Sequence, residues 1–366
     1  LWGSPMAIQL RQLGKACAAV CLLLGTPLTA QSEAQHELLL FPSIQGFDSQ
    51  DESDAAIRDS ALHVGASILY SYSSDHFRFL GEYLLSTHET ELERLKAGWR
   101  VADDAMLWLG RFHVPSRYWM SEFHHGQYLQ TSITRPSLEE WEDDSGSTPS
   151  HITGLLFELE QVRQDDSAIE YALSAGLAPK FANQALEPFD LLDPRSGHGL
   201  SLTGRVGFKP KFFESMAYGV VGSWDEINVD TPAIPLPTDL RRIDQMTAGV
   251  FANYQRDKLR LIASVVYFNN ELHFFGSKTR DEFTLAYLQP EYELGNEVTI
   301  FGRVDAGIDE DNSIFLRMLP AFVSHRNMIG IRWDFADFQA LTFEAADTSR
   351  QGAGDSHLHR GSDPAV

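Results

Sequence analysis

The chain has 366 residues, 43% of them hydrophobic, and a formal net charge of −22. That length suits one large domain or two ordinary ones. The acidity excludes general nucleic-acid binding, which needs a basic face against phosphates.

From Met6 the chain reads as a secretory signal peptide over residues 1–30. Arg11 and Lys15 form a short basic region, an apolar run follows from Ala16 to Gly25, and small residues lead to a cleavage point after Ala30. Leu1 to Pro5 precede the first Met and read as sequence upstream of the true start. The apolar run is too short to span a bilayer. Cleavage would leave a net charge of −22 − 2 = −24. Both cysteines, Cys17 and Cys21, fall inside the signal, so the exported product has no disulfide framework. It must be held by a large core or a closed sheet. The residues before Cys21 lack the Leu and the small residue of a lipidation site. Residues 31–60 follow as a polar N-terminal segment.

From Ala61 onward the signal is alternation with period two, the mark of half-buried strands. In "HFRFLGEYLLS" Phe77, Phe79, Gly81, Tyr83 and Leu85 share one face, with Arg78 and Glu82 on the other. In "ELERLKAGWRV" Leu95, Ala97, Trp99 and Val101 oppose Arg94, Lys96, Gly98 and Arg100. "SAIEYALSAGL", "LSLTGRVGFK", "RLIASVVYF", "EVTIFGRVDAG", "MIGIRWDFA" and "QALTFEA" read the same way. Short polar turns ("SSD", "ADD", "RQDD", "QRD", "GNE") alternate with long irregular connections at 113–150, 179–197 and 226–243. This is the layout of a transmembrane antiparallel β-barrel of about 14–16 strands, over residues 61–349. A soluble all-β sandwich also alternates. Against it stand the small and charged polar faces and the aromatics near strand ends: Tyr70, Tyr72, Trp99, Trp108, Tyr118, Trp119, Trp224, Tyr267 and Trp333. Residues 350–366 read as an irregular tail with no aromatic-ended strand. A frameshift or truncation near residue 355, with loss of the closing C-terminal strand, accounts for that, because a barrel leaves no open edge in lipid.

The stretch "GRFHVPSRYWMSEFHHGQYLQTSITRPSLEEWEDDSGSTPSHITGL" resembles a group of poorly characterised porin-like outer-membrane proteins of Gram-negative bacteria. The resemblance runs from about Ala61 through "RWDFADFQALTFEAADTS", with Met120 where the pattern has Asn. It implies an outer-membrane barrel and no particular substrate. Outer-membrane lipid and lipopolysaccharide, small solutes or ions, and a homo-oligomer by analogy with other porins are the partners it implies.

Within this frame, period two places Arg78, Arg94, Lys96, Arg100, Arg111, Arg205, Lys209, Arg303 and Arg332 on inward faces, with Glu82, Glu158, Asp305 and Asp334. Rings of basic side chains favour anions in a pore, and pairing with the acids would cross-brace the wall instead. In the strand before Pro115, Met106, Trp108, Gly110 and Phe112 are expected toward lipid and Arg111 and His113 toward the lumen. Proline then stops the ladder. The loop beyond is expected to fold inward as a constriction, with His113, His124, His125, Gln127, Gln130 and Arg135 bonding to the wall. His113, His124 and His125, with His151 further on, are candidate metal ligands. Their spacing matches no zinc pattern. No G-x-S-x-G accompanies the serines, and the carboxylates of "LEEWEDDSG" read as a solvated run. No cofactor and no enzymatic activity are expected. The function expected is a passive channel for small hydrophilic solutes. The alternatives are a non-channel structural or adhesive barrel, or a soluble periplasmic β-protein.

Overall fold

A computed structural model describes residues 34–46, 62–87, 90–123, 130–142, 146–192, 194, 197–212, 214–230, 239–295, 297–319, 321–337 and 339–350. The chain is almost entirely antiparallel strand. The first seven strands are β1 (Gln35–Gly46), β2 (Leu62–Ser73), β3 (Phe77–Ser86), β4 (Thr90–Ala102), β5 (Ala105–His113), β6 (His151–Val162) and β7 (Ala168–Leu177). A small hairpin follows, β8 (Lys180–Ala182) and β9 (Ala185–Glu187). Then come β10 (Leu200–Lys209), β11 (Ala217–Val229), β12 (Leu240–Arg256) and β13 (Leu259–Phe274). The last four are β14 (Ser277–Gly295), β15 (Val298–Ile308), β16 (Val323–Ala336) and β17 (Gln339–Arg350). Two short helices lie in loops, α1 (Tyr118–Phe123) and α2 (Ile314–Arg317).

Each strand pairs with the next in sequence, and β7 passes over the small hairpin to pair with β10. The registers are long: β12 and β13 are zipped from Arg256↔Leu259 to Leu240↔Phe274. Turns at one end are tight, and acidic residues take their left-handed positions, as at Asp257 (φ 51°) and Glu297 (φ 63°). The other end carries the long connections.

What separates membrane barrel from soluble sandwich is which face is buried. Leu202, Val250, Ile329 and Phe343 are 43%, 54%, 69% and 63% exposed, while Ser201, Asn270, Gln289 and Asp305 are fully buried. The outward rows are apolar, and the inward rows carry buried polar side chains beside an apolar cluster. A protein surrounded by water would do the reverse, whereas hydrocarbon outside and a polar interior require this arrangement. Outward aromatics gather toward the short-turn end, where Trp99 meets Phe77 at 5.7 Å and Trp333 meets Phe335 at 5.6 Å.

Several expectations are corrected. The N-terminal segment expected to be merely polar contains β1, paired along its whole length with β2. Trp108, Tyr118 and Trp119 are not girdle residues; all three are buried inside. The lipid-facing side expected for β5 is corrected: Leu109 is 53% exposed, Trp108 and Phe112 pack with Ile152 and Leu156, and Arg111 and His113 are also buried. Alternation fixes the period but not the phase. Trp108 turns inward because its indole N–H donates to Glu158 at 2.7 Å and the Lys96 ammonium sits 4.2 Å above its ring. The ring lies where any side chain at Gly98 would fall, since a Cβ there would be 2.4 Å from it.

Among the described residues there are 17 strands, and the 17 − 2 = 15 outside the small hairpin form one meander. With an odd number, β1 and β17 run in the same direction, and no antiparallel pairing joins them. The sheet is not closed. The tail expected to be frameshifted, from residue 351, lies outside the described residues.

Candidate functional site: the interior and its inward loop

The connection between β5 and β6 folds into the sheet and touches several walls. Pro115 ends the ladder of β5, and α1 then lays Tyr118, Trp119 and Phe123 against the apolar inner faces of β12 and β14. Tyr118 stacks on Phe251 at 4.2 Å, Trp119 meets Tyr287 edge-on at 6.0 Å, and the Tyr118 hydroxyl accepts from Asn253 at 3.2 Å. The segment "QTSITRPS" (130–137) is clamped to the other wall. Arg303 on β15 donates to Thr134 O (2.9 Å), Thr134 Oγ1 (2.8 Å) and Arg135 O (2.8 Å), while its Nε is held by Asp305 at 3.0 Å. Asp305 accepts from Ser137 N at 3.0 Å, and Arg326 donates to Arg135 O at 2.7 Å. On β17 Glu344 accepts from Ile133 N and Thr134 N at 2.8 and 3.1 Å. Arg332 on β16 donates to Gln130 O at 2.6 Å. Further along, Ser147 O accepts from Gln245 on β12 at 3.1 Å.

Inside the loop, Arg117 ties the two ends together. It donates to Glu140 O at 2.6 Å, to Leu138 O at 3.3 Å and to the Ser150 hydroxyl, and it faces Glu139 at 3.4 Å. Burial pushes the Glu139 carboxyl above its ordinary value, against the pull of Arg117. Burial likewise holds the Arg135 guanidinium down at about 10, although the Glu140 and Glu93 carboxylates pull the other way. Arg135 lies flat over Trp141, 3.8 Å from the ring centre. At the loop's return Glu142 accepts from the main-chain N–H of Ser150 and His151 and meets the His151 ring at 2.9 Å. Burial raises its carboxyl, but the His151 imidazole and these donors outweigh it and hold it below the ordinary value.

Most of the basic residues expected to line a pore are occupied. Arg94 pairs with Glu82 at 2.6 Å, Arg111 with Glu91, Arg303 with Asp305 and Arg332 with Asp334 at 2.6 Å. Lys209 pairs with Glu170, Arg205 faces Glu122 of α1 at 3.9 Å, and Lys96 rests on Trp108. Arg78, Arg100 and Arg205 border a cavity of about 640 Å³ at the short-turn end. Its acidic lining is Asp103, Asp104, Glu158, Glu160 and Glu170, so five acids oppose three bases. Of the expected constriction residues, His113 is buried at the foot of the loop, Gln130 receives Arg332 through its carbonyl and accepts from Trp119 Nε1, and Arg135 is half-buried, its carbonyl accepting from Arg303 and Arg326. His124, His125 and Gln127 lie outside the described residues.

Sequence reasoning missed Glu93, Arg117, Arg326 and Glu344, and it named Glu142 only as one of several carboxylates that could join the histidines. Glu93 was hidden because a register shift at Glu82/Tyr83 lets the adjacent Glu93 and Arg94 both be buried, which strict alternation forbids. Glu142 sits in an acidic run, and no local pattern marks one carboxylate in such a run as buried.

No family model and no curated protein matches the chain. Among solved structures, the anion-selective porin from Comamonas acidovorans is similar over 87% of this chain and 90% of that one, with a TM-score of 0.54 and 11% identity. The chain has the fold of a porin. Salmonella typhi OmpF in complex with daunomycin aligns over 83% of this porin-like chain and 86% of its own, at 11% identity and a TM-score of 0.48. Pseudomonas aeruginosa OccK2 in complex with glucuronate aligns over 87% and 82%, at 12% identity and a TM-score of 0.41. At 11% identity, what the porin from Comamonas acidovorans and this chain share is the path of the backbone.

Proposed function

We propose that the protein is a passive channel for small hydrophilic solutes in the outer membrane of a Gram-negative bacterium, reached by export behind a cleaved signal. The observation that carries this reading is the inverted burial: an apolar belt outside and polar rows inside, with a loop drawn across the interior. Solutes would be sorted by size and by the charge of the lining, with no enzymatic step and no cofactor. Lipid covers the outward rows, and association into a homo-oligomer would bury part of the same belt.

Selectivity follows from charge that is not already neutralised. The inward basic rows alone favour anions, the selectivity named for the porin from Comamonas acidovorans. Here most of them are spent on acids or on loop carbonyls, and of the five acids at the short-turn cavity Glu160 and Glu170 are bridged by Lys209, leaving 5 − 2 = 3 acids against three bases. The lining therefore supports weak selectivity of either sign. A reversal potential in a salt gradient tests this, and a clear anion sign would restore the preference read from the basic rows.

A second reading rests on a specific observation. The loop packs against β12, β14 and β15–β17 through a continuous apolar cluster and a ring of hydrogen bonds. A barrel so filled could be a structural wall element that passes nothing. Planar-bilayer conductance separates the two: discrete steps support the channel, and their absence from correctly folded protein supports the plug.

A further inference from the structure

The long-loop ends of β4, β5 and β6 bring together three groups that solute passage leaves unused. The Glu93 carboxylate and the His113 and His151 imidazoles each present one donor atom, and the three atoms lie within 4.8 Å of one another. All three side chains are buried. His151 Nε2 is 3.0 Å from Glu93, and its Nδ1 is 2.9 Å from Glu142. The His113 and His151 rings are 5.0 Å apart, and Trp141 stacks on His151 at 5.4 Å.

We propose that Glu93, His113 and His151 form a site for a divalent transition metal of the Zn²⁺ class, with Glu142 as the carboxylate that orients His151. Two imidazole nitrogens and one carboxylate oxygen are a donor set suited to Zn²⁺ and Co²⁺, with a fourth position left to water. Metal–ligand bonds of about 2.0–2.1 Å in a tetrahedron place neighbouring donors about 3.3 Å apart. The His151–Glu93 separation of 3.0 Å already matches. The widest gap exceeds that spacing by at most about 1.5 Å, a distance that a χ rotation of His113 closes.

The environment argues in the same direction. A metal-bound imidazole is ordinarily fixed by a carboxylate on its other nitrogen, which selects the tautomer and aims the ligand. Glu142 stands in that place, itself anchored by two main-chain N–H groups. Two buried carboxylates, Glu93 and Glu142, share a single imidazole. A dication bound at Nε2 gives them two positive charges where a proton gives one; that proton, when present, leaves to solvent. A second cluster, Asp244, Glu271 and His273, lies at the rim. Its carboxylates are already paired with Arg242 and Lys278, so it serves as an internal control.

The site is complete only when the end of the loop has docked, so metal should be present during folding. The test uses the full chain in a C17S/C21S background, so that thiols bind nothing, folded in detergent with ZnCl₂ and freed of excess by gel filtration. Heat-modifiable gel mobility reports folding of every variant. Elemental analysis is expected to find one zinc per folded chain, lost in His113→Ala and retained in His273→Ala. Glu142→Gln should weaken Co²⁺ binding, followed by its visible absorption, by about 10–100-fold. No retained zinc in folded protein, equal zinc in His113→Ala, or its loss in His273→Ala would each overturn the assignment.

Discussion

Arg303 is inward, as its place in "FGRVD" foretells, and yet it is fully buried under the loop it holds. Removing it strands Asp305 without a cation in a water-poor place, a loss of about 3–5 kcal/mol for a broken buried pair. Arg303→Ala should therefore lower the urea midpoint of unfolding. It should also raise open-channel noise, since residues 132–137 lose several of their ties; an unchanged midpoint would show that the clamp is dispensable. Glu139 makes the opposite case. Its folded-state carboxyl is raised above the ordinary value, so the ionised form is the one that folding penalises. Protonation becomes favourable as pH falls through the raised value and is complete below the unfolded one near 4.3. Glu139→Gln, which carries no charge, should gain most relative to wild type at neutral pH, and the gap should shrink as pH falls. Arg117 keeps its loop carbonyls in that variant, so thermal unfolding at pH 7 and pH 5 is a clean comparison. At this scale the sequence was a partial guide. It put charges inside but could not say that Arg303 and Arg332 answer loop carbonyls, because those partners lie about 170 to 200 residues away.

At the level of strands, much was legible, because period two survives without interruption in β10, β13 and β15, and in β12 beyond a register shift at Leu240/Arg242. β12 shows the consequence. Val250 is outward and 54% exposed, whereas its neighbours Gly249 and Phe251 belong to the inner row that α1 covers. Val250→Arg would place a charge in hydrocarbon and should cost about 2–4 kcal/mol if the position is near the bilayer midplane. Stability in lipid vesicles measures this, and a cost near zero would mean that this row faces water. The phase of β5 was not legible. Trp108 looks like an interface aromatic by composition, and only the acid Glu158 on β6 and the bare Gly98 on β4 make its inward pose favourable. β1 was missed because its pattern is broken by Pro42, which an edge strand tolerates. The inward loop was foreseen as a segment too long for a turn, but its contacts were not.

For the whole molecule, the fold is a long antiparallel meander whose outward rows are apolar, whose inward rows mix buried polar side chains with an apolar cluster, and whose longest described loop joins distant parts of the wall. The absence of cysteine beyond Cys21 leaves stability to strand pairing and the filled interior. The channel reading depends on space remaining beside the loop, along β3–β7 and β10, where the short-turn cavity lies. On that reading the loop between β5 and β6 is expected to narrow it. Single-channel recording in planar bilayers, on the intact protein and on a variant lacking 118–147, tests that directly. The expected result is discrete conductance steps for the intact protein and larger steps for the variant. Correctly folded protein with no steps, or equal steps with and without the loop, would contradict it.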